Sequence, residues 1–141
     1  MAEAIPERAG DVARLVHRAL ESQAAGRARA ARRSLREVPF GVTLNSTVLE
    51  GFIDLVIETE AGLEIVDWKT DHIAPSDVPG RMREYELQAG LYVLGLEAAT
   101  GRTVTRVTYV FVSPDVEESP GAPAALAAAA RARLAATWPE A

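Results

Sequence analysis

The chain has 141 residues, 48% of them apolar and 25% charged, an ordinary globular composition long enough to bury a core of its own. It contains no cysteine, which excludes disulfides, thiolate zinc sites and cysteine-ligated iron–sulfur clusters and fits a reducing compartment. The net charge of −5 disfavours unaided binding to nucleic acid, and no apolar run approaches the roughly 20 residues that a bilayer span requires.

Pro6 and Gly10 precede a helical pattern with Asp11 as its N-cap. Val12, Leu15, Val16, Ala19 and Leu20 recur at the spacing of one helical stripe, and the helix is expected to run to about Ser34. This N-terminal stretch mixes acids and arginines without the apolar core of a signal peptide, so the expected location is cytoplasmic, at the nucleoid, with no membrane partner. Arg27, Arg29, Arg32, Arg33 and Arg36 crowd together here. They fit either a solvated helical face or a ridge that contacts phosphates, with Arg32, Arg33 and Arg36 as its candidates.

The alternation through Val38, Phe40, Val42 and Leu44 predicts a first strand, and Asn45-Ser46 a turn. A second strand follows over Val48 to Glu58, and Thr59 to Gly62 closes a hairpin into a third, Leu63 to Thr70. Asp71 to Pro79 reads as a loop and Arg81 to Ala99 as a helix stopped by Gly101. Thr103 to Val112 is a β-branched fourth strand, Ser113 to Pro123 an acidic loop, and Ala124 to Trp138 an alanine-rich helix. The order α-β-β-β-α-β-α predicts one α+β domain over 1–141, with a core of about 11–113 and a C-terminal helix of about 124–138.

If Glu58 pairs with Leu63, Asp54 falls opposite Asp67 and Phe52 opposite Lys69. Asp67 and Lys69 then share a face, while Ile53 on Trp68 and Leu55 on Val66 form core. A three-residue loop would shift this register by one. Directly opposed like charges repel, and a divalent cation between them converts the repulsion into a binding site. Two hard-oxygen ligands suit Mg²⁺ or Mn²⁺, which lowers the pKa of bound water and offsets charge on a scissile phosphate. Lys69 is placed to orient that water or neutralise a phosphate oxygen. On an Asp-x-Lys tripeptide alone, the favoured reading is edge or surface acids, one of them paired with Lys69, because short motifs recur by chance.

Gly51-Phe52-Ile53-Asp54, then Asp67-Trp68-Lys69-Thr70, then Tyr85, Gln88 and Tyr92 at Tyr-x-x-Gln-x-x-x-Tyr spacing resemble the RecB/AddA-type branch of the PD-(D/E)XK, restriction-endonuclease-like superfamily. Val16-His17-Arg18-Ala19-Leu20-Glu21 is similar to that branch's histidine-bearing first helix, and Arg36-Glu37-Val38-Pro39-Phe40 to the strand leading into its aspartate motif. The resemblance implies an αβββαβ core with a mixed central sheet flanked by helices. It implies a metal held by Asp54, Asp67, the Trp68 backbone carbonyl and His17, with Lys69 catalytic. Gln88 and Tyr92 would lie beside the scissile strand, with Tyr85 near the same face. The implied activity is Mg²⁺- or Mn²⁺-dependent DNA hydrolysis in repair or recombination, without an iron–sulfur cluster and beside a helicase motor in the same or a partner chain. The competing expectation is a non-catalytic DNA-binding or scaffold domain that keeps the fold.

Overall fold

The computed structural model describes residues 4–44 and 46–137. Chain order gives α1 (Ala4–Glu21), α2 (Gln23–Ala30), β1 (Arg33–Leu44), β2 (Thr47–Glu58) and β3 (Leu63–Lys69). A single 3₁₀ turn (Pro75–Asp77) leads into α3 (Val78–Thr100), followed by β4 (Val104–Phe111), β5 (Val116–Glu118) and α4 (Pro123–Thr137). The strands form one sheet in the order β1-β2-β3-β4-β5, antiparallel except between β3 and β4. That parallel pair is joined by α3, as parallel neighbours need a long crossover. The predicted mixed α+β architecture, with a helix-flanked sheet and a C-terminal helix, is the one observed.

Two apolar layers cover the sheet. On one face Ile53, Val56, Ile65, Val107 and Tyr109 pack under Tyr92 and Val93 of α3 and Leu126 and Ala130 of α4. On the other, Leu55, Ile57, Val66 and Val110 meet Ala24 and Ala28 of α2 and Leu15 and Ala19 of α1. The rest of the predicted α1 stripe, Val12, Val16 and Leu20, stays more than half exposed. Among the described residues no helix is long and apolar enough to cross a membrane.

The N-terminal helix is broken rather than continuous to Ser34. Ser22 is extended (φ −61°, ψ 155°), and its hydroxyl accepts the Ala25 N–H at 3.2 Å while donating to the Ala19 carbonyl at 2.6 Å. The Glu117 carboxylate takes the N–H groups of Gln23 and Ala24 at 3.1 and 2.8 Å, where the start of α2 favours negative charge. Strand β1 accordingly begins at Arg33, five residues before the sequence pattern places it. The acidic loop after β4 contains the short edge strand β5, which the sequence pattern does not reveal. The C-terminal helix ends its described part at Thr137; Asn45 and Trp138, expected in a turn and at a helix end, lie outside the described residues.

Small residues set how closely α3 packs. A Cβ on Gly90 would fall 2.3 Å from the Leu126 carbonyl oxygen and 2.6 Å from the Ala130 Cβ of α4. A Cβ on Gly95 or Gly51 would fall 2.5 or 2.8 Å from the Phe40 ring, which is wedged between these two glycines. The C-terminus of α3 is closed by Gly101 in the left-handed conformation (φ 68°), its N–H bonding the Glu97 carbonyl at 2.9 Å.

Gly90→Ala is therefore expected to destabilise the chain by about 1–3 kcal/mol in urea unfolding, because backbone and not a flexible side chain blocks the methyl group. Gly26→Ala, in a helix with nothing within 4 Å of the new methyl, is expected to be neutral or stabilising. Equal effects of the two substitutions would contradict this packing.

Candidate active site

The β2–β3 hairpin adopts the register the four-residue loop implies. Glu58 pairs with Leu63 and Leu55 with Val66, and Thr59 and Gly62 bond each other across the turn at 2.8 and 3.3 Å. The ladder then stops, at the step where Asp54 would meet Asp67. In place of a backbone carbonyl, the Asp54 carboxylate accepts the Trp68 N–H at 2.9 Å. On the β1 side the Glu37–Asp54 pair is also missing from an otherwise regular ladder, and Glu37 takes a left-handed φ of 49°.

This double break changes which way β2 faces. Ile53 and Val56 belong to the α3-side core, whereas Leu55 and Ile57 belong to the other. Ile53 thus does not stack on Trp68, which is half-buried against the α1/α2 layer, and Phe52 does not pair with Lys69. Asp54 sits at the switch point, half-buried and free of both ladders.

Asp67 lies deeper, at 3% exposure, and β3 aligns it with Tyr109 of the parallel β4. Its Oδ1 accepts the Tyr92 hydroxyl at 3.2 Å. Its Oδ2 has the Lys69 Nζ at 2.8 Å, an ion pair off the hydrogen-bonding directions, and is otherwise a buried oxygen without a hydrogen-bond partner. Burial pushes the Asp67 carboxyl above the usual aspartate value, the Asp54 charge adds to this, and Lys69 and Tyr92 draw it back.

Lys69 is held from three sides. Its ammonium lies 2.8 Å from Asp67, 3.2 Å from Gln88 Oε1 and 3.9 Å above the centre of the Tyr85 ring. Tyr85, Gln88 and Tyr92 thus all reach the β3 site from one face of α3, as their spacing requires. The Tyr85 hydroxyl in turn donates to Asp71 at 3.2 Å.

Tyr109 completes the arrangement, and nothing in the sequence pattern singles it out. It is fully buried, stacks on Tyr85 (5.5 Å, 19°), and its hydroxyl lies 3.0 Å from Gln88 Oε1 and 3.3 Å from the Tyr85 carbonyl. Burial, with the neighbouring Asp67 charge, raises the Tyr92 and Tyr109 phenols well above their ordinary value, so both remain donors at neutral pH. Two donors, Lys69 and Tyr109, therefore converge on one Gln88 oxygen and fix the amide's orientation, with Nε2 as its remaining donor group.

Other expected site residues are placed elsewhere. His17 is exposed on α1 and pairs with Glu21 at 3.1 Å, so the structure does not bring it to the two aspartates. The arginine group is split. Arg36 and Arg29 line a hollow of about 330 Å³ with Asp54, Val16 and Trp68. Arg32 and Arg33 instead border a larger hollow of about 890 Å³ at the hairpin end of the sheet, with Arg27 and Arg102. There Arg27 holds the buried Glu64 at 2.7 Å, while Arg33 and Arg102 approach Glu58 at 4.0 and 3.6 Å. This larger hollow is not the one that reaches the aspartates.

The donor set at the ladder break suits a hard divalent cation: two carboxylates, the buried one with a single cationic partner at Oδ2. Among the described residues no third His, Cys, Asp or Glu joins them in a metal-holding group.

A helix-flanked mixed sheet with aspartate on one central strand and Asp-x-Lys on the next is the arrangement of a nuclease class, and the chain belongs to it: the PD-(D/E)XK nuclease superfamily profile matches residues 1–141. Its relatives point to one branch. It is 30% identical over 118 residues to an ATP-dependent helicase/nuclease subunit of Acetivibrio thermocellus, covering 72% of this chain and 9% of that protein. The same-named protein of Anoxybacillus flavithermus is 39% identical over 82 residues (54% and 7%), and that of Carboxydothermus hydrogenoformans 36% over 70 residues (50% and 6%). The chain thus spans less than a tenth of the length of these relatives.

Tyr109→Phe keeps the ring stack and removes one donor from Gln88. It is expected to cost about 0.5–1.5 kcal/mol of stability, and to shift the Gln88 side-chain amide resonances in NMR, because one of the two donors to Oε1 is lost. A Gln88 amide spectrum unchanged by the substitution would contradict the orientation assigned to it.

Proposed function

We propose that this chain is the nuclease part of a helicase–nuclease system for DNA repair or recombination, a Mg²⁺- or Mn²⁺-dependent enzyme that hydrolyses DNA phosphodiester bonds. The observation that carries this reading is the ladder break at Asp54, which leaves two neighbouring carboxylates, one of them buried, beside a single ammonium, that of Lys69. The whole of 1–141 is read as one nuclease domain, working in the cytoplasm.

In this reading Asp54 and Asp67 hold the cation with the Trp68 backbone carbonyl. When bound, the cation supplies a lowered pKa for coordinated water and offsets negative charge on the scissile phosphate. Lys69, pinned by Gln88 and the Tyr85 ring, presents its ammonium to the attacking water or to a phosphate oxygen. Tyr92 holds Asp67 at Oδ1, which leaves Oδ2 to Lys69 and to the cation that Asp67 and Asp54 would hold. Gln88 Nε2 is the donor left for a phosphate oxygen, and Arg36 and Arg29 neutralise the strand on the far side of Asp54. Arg32 and Arg33 lie too far along the sheet to share that task. His17 completes the cation's shell only if α1 turns towards the sheet.

The link to a motor comes from the relatives' names, and it fits the acidic net charge, which is tolerable where another part of the machine holds the DNA. The exposed stripe of Val12, Val16 and Leu20 fits burial against further polypeptide of such a machine.

Cleavage of labelled single- and double-stranded DNA with Mn²⁺, Mg²⁺ or EDTA tests the proposal. Metal-dependent cutting is expected, lowered about 10²-fold or more by Asp54→Ala, Asp67→Ala or Lys69→Ala. Calorimetry of Mn²⁺ binding is expected to show a site lost in Asp67→Ala and weakened in His17→Ala only if α1 moves. A chain that neither cuts DNA nor binds the cation would overturn the reading.

A further inference from the structure

Phe52 has no partner in the chemistry described above, yet it lies two residues from Asp54 with 66% of its surface exposed, the most exposed large apolar residue among those described. Because β2 pairs with β3 only from Leu55 onward, the stretch Thr47–Ile53 is paired with β1 alone and its other edge is open. Between that edge and α3 runs a groove of about 530 Å³ lined by Phe52, Phe40, Gln88 and Tyr92, with Glu50 and Glu84 also along it. Gln88 and Tyr92 are the residues that hold Lys69 and Asp67, so the groove adjoins the proposed catalytic centre directly.

We infer that this groove receives an unstacked nucleobase of the bound strand, and that Phe52 is the surface on which the base stacks. The inference rests on the nuclease reading and narrows its substrate to DNA whose bases are unpaired at the site. Charge decides what enters. Glu50 and Glu84 repel a phosphate backbone, while Arg29 and Arg36 occupy the hollow on the other side of Asp54. A strand crossing at Asp54 is thereby oriented with phosphates towards the arginines and a base towards Phe52. The flat ring offers a π-face to any base, and the glutamates can accept hydrogen bonds from exocyclic amines. A base within a duplex has both faces covered and cannot use the ring.

The test is titration of the full chain, in Ca²⁺ to supply a hard cation, into a single-stranded oligonucleotide carrying 2-aminopurine, whose fluorescence is quenched by stacking. Quenching on binding is expected for the parent chain. Phe52→Ala and Phe52→Leu are expected to lose the quenching and bind roughly tenfold more weakly, and Phe52→Trp to restore both. A fully paired duplex is expected to bind the parent and Phe52→Ala equally. The exposure of Phe52 predicts unaltered folding, checked by the thermal midpoint. Undiminished quenching in Phe52→Ala, full activity of Phe52→Leu in this assay, or no binding by the parent chain would overturn the inference. Metal-dependent cleavage by the parent chain is scored separately, so a failed stacking site and a failed nuclease reading give different results.

Discussion

Adjacent antiparallel strands ordinarily exchange backbone hydrogen bonds to their ends, and two aspartates placed opposite each other in such a ladder repel. In this chain both constraints are met by one substitution of partners: the Asp54 carboxylate takes the Trp68 N–H that a backbone carbonyl would otherwise take. The bond satisfies a half-buried donor of β3 while releasing β2 from the ladder. With the missing Glu37–Asp54 pair on its other side, Asp54 becomes a corner at which β2 exchanges its two faces. Glu37, held at a positive φ that costs a non-glycine residue energy, is the backbone counterpart of that corner.

What the break opens, α3 fills. Phe40 of β1 seats its ring between Gly51 of β2 and Gly95 of α3 and meets Tyr92 edge-on at 5.2 Å, so the β1–β2 pair and α3 are locked in one relative position. From there the tyrosines and Gln88 of α3 reach β3 and solve a second problem, the burial of charge. Asp67 and Lys69 are removed from water as a pair, and a buried ion pair is tolerable only with further polar partners. Tyr92, Gln88 and the Tyr85 ring are those partners, and Tyr109 beneath them fixes the amide. Asp67 Oδ2 has only the Lys69 ammonium beside it, and a cation shared with Asp54 would add a second positive partner.

Local pattern carries much of this. Loop length and alternation are enough for the β2–β3 register, and helical spacing is enough to put Tyr85, Gln88 and Tyr92 on one face. The features that escape it depend on contacts distant in sequence. Tyr109 meets Asp67 only through the parallel β3–β4 register, which no short-range pattern encodes. The break at Ser22 is held by Glu117, more than ninety residues away, and the edge strand that carries Glu117 is three residues long. The arginines, adjacent in sequence, are divided between two hollows because β1 begins at Arg33 and not beyond them. The face switch at Asp54 is hidden for a similar reason: alternation assumes an unbroken strand, and Ile53 and Leu55 lie on either side of the break.

The claim that the ladder break exists to hold a cation between two carboxylates is tested most directly by diffraction from crystals soaked in Mn²⁺, with data collected to locate its anomalous scattering. One strong peak is expected in direct contact with both Asp54 and Asp67 Oδ2, absent from crystals of Asp67→Ala. A peak confined to the exposed His17–Glu21 pair, or none within ligand distance of the two aspartates at saturating Mn²⁺, would contradict it.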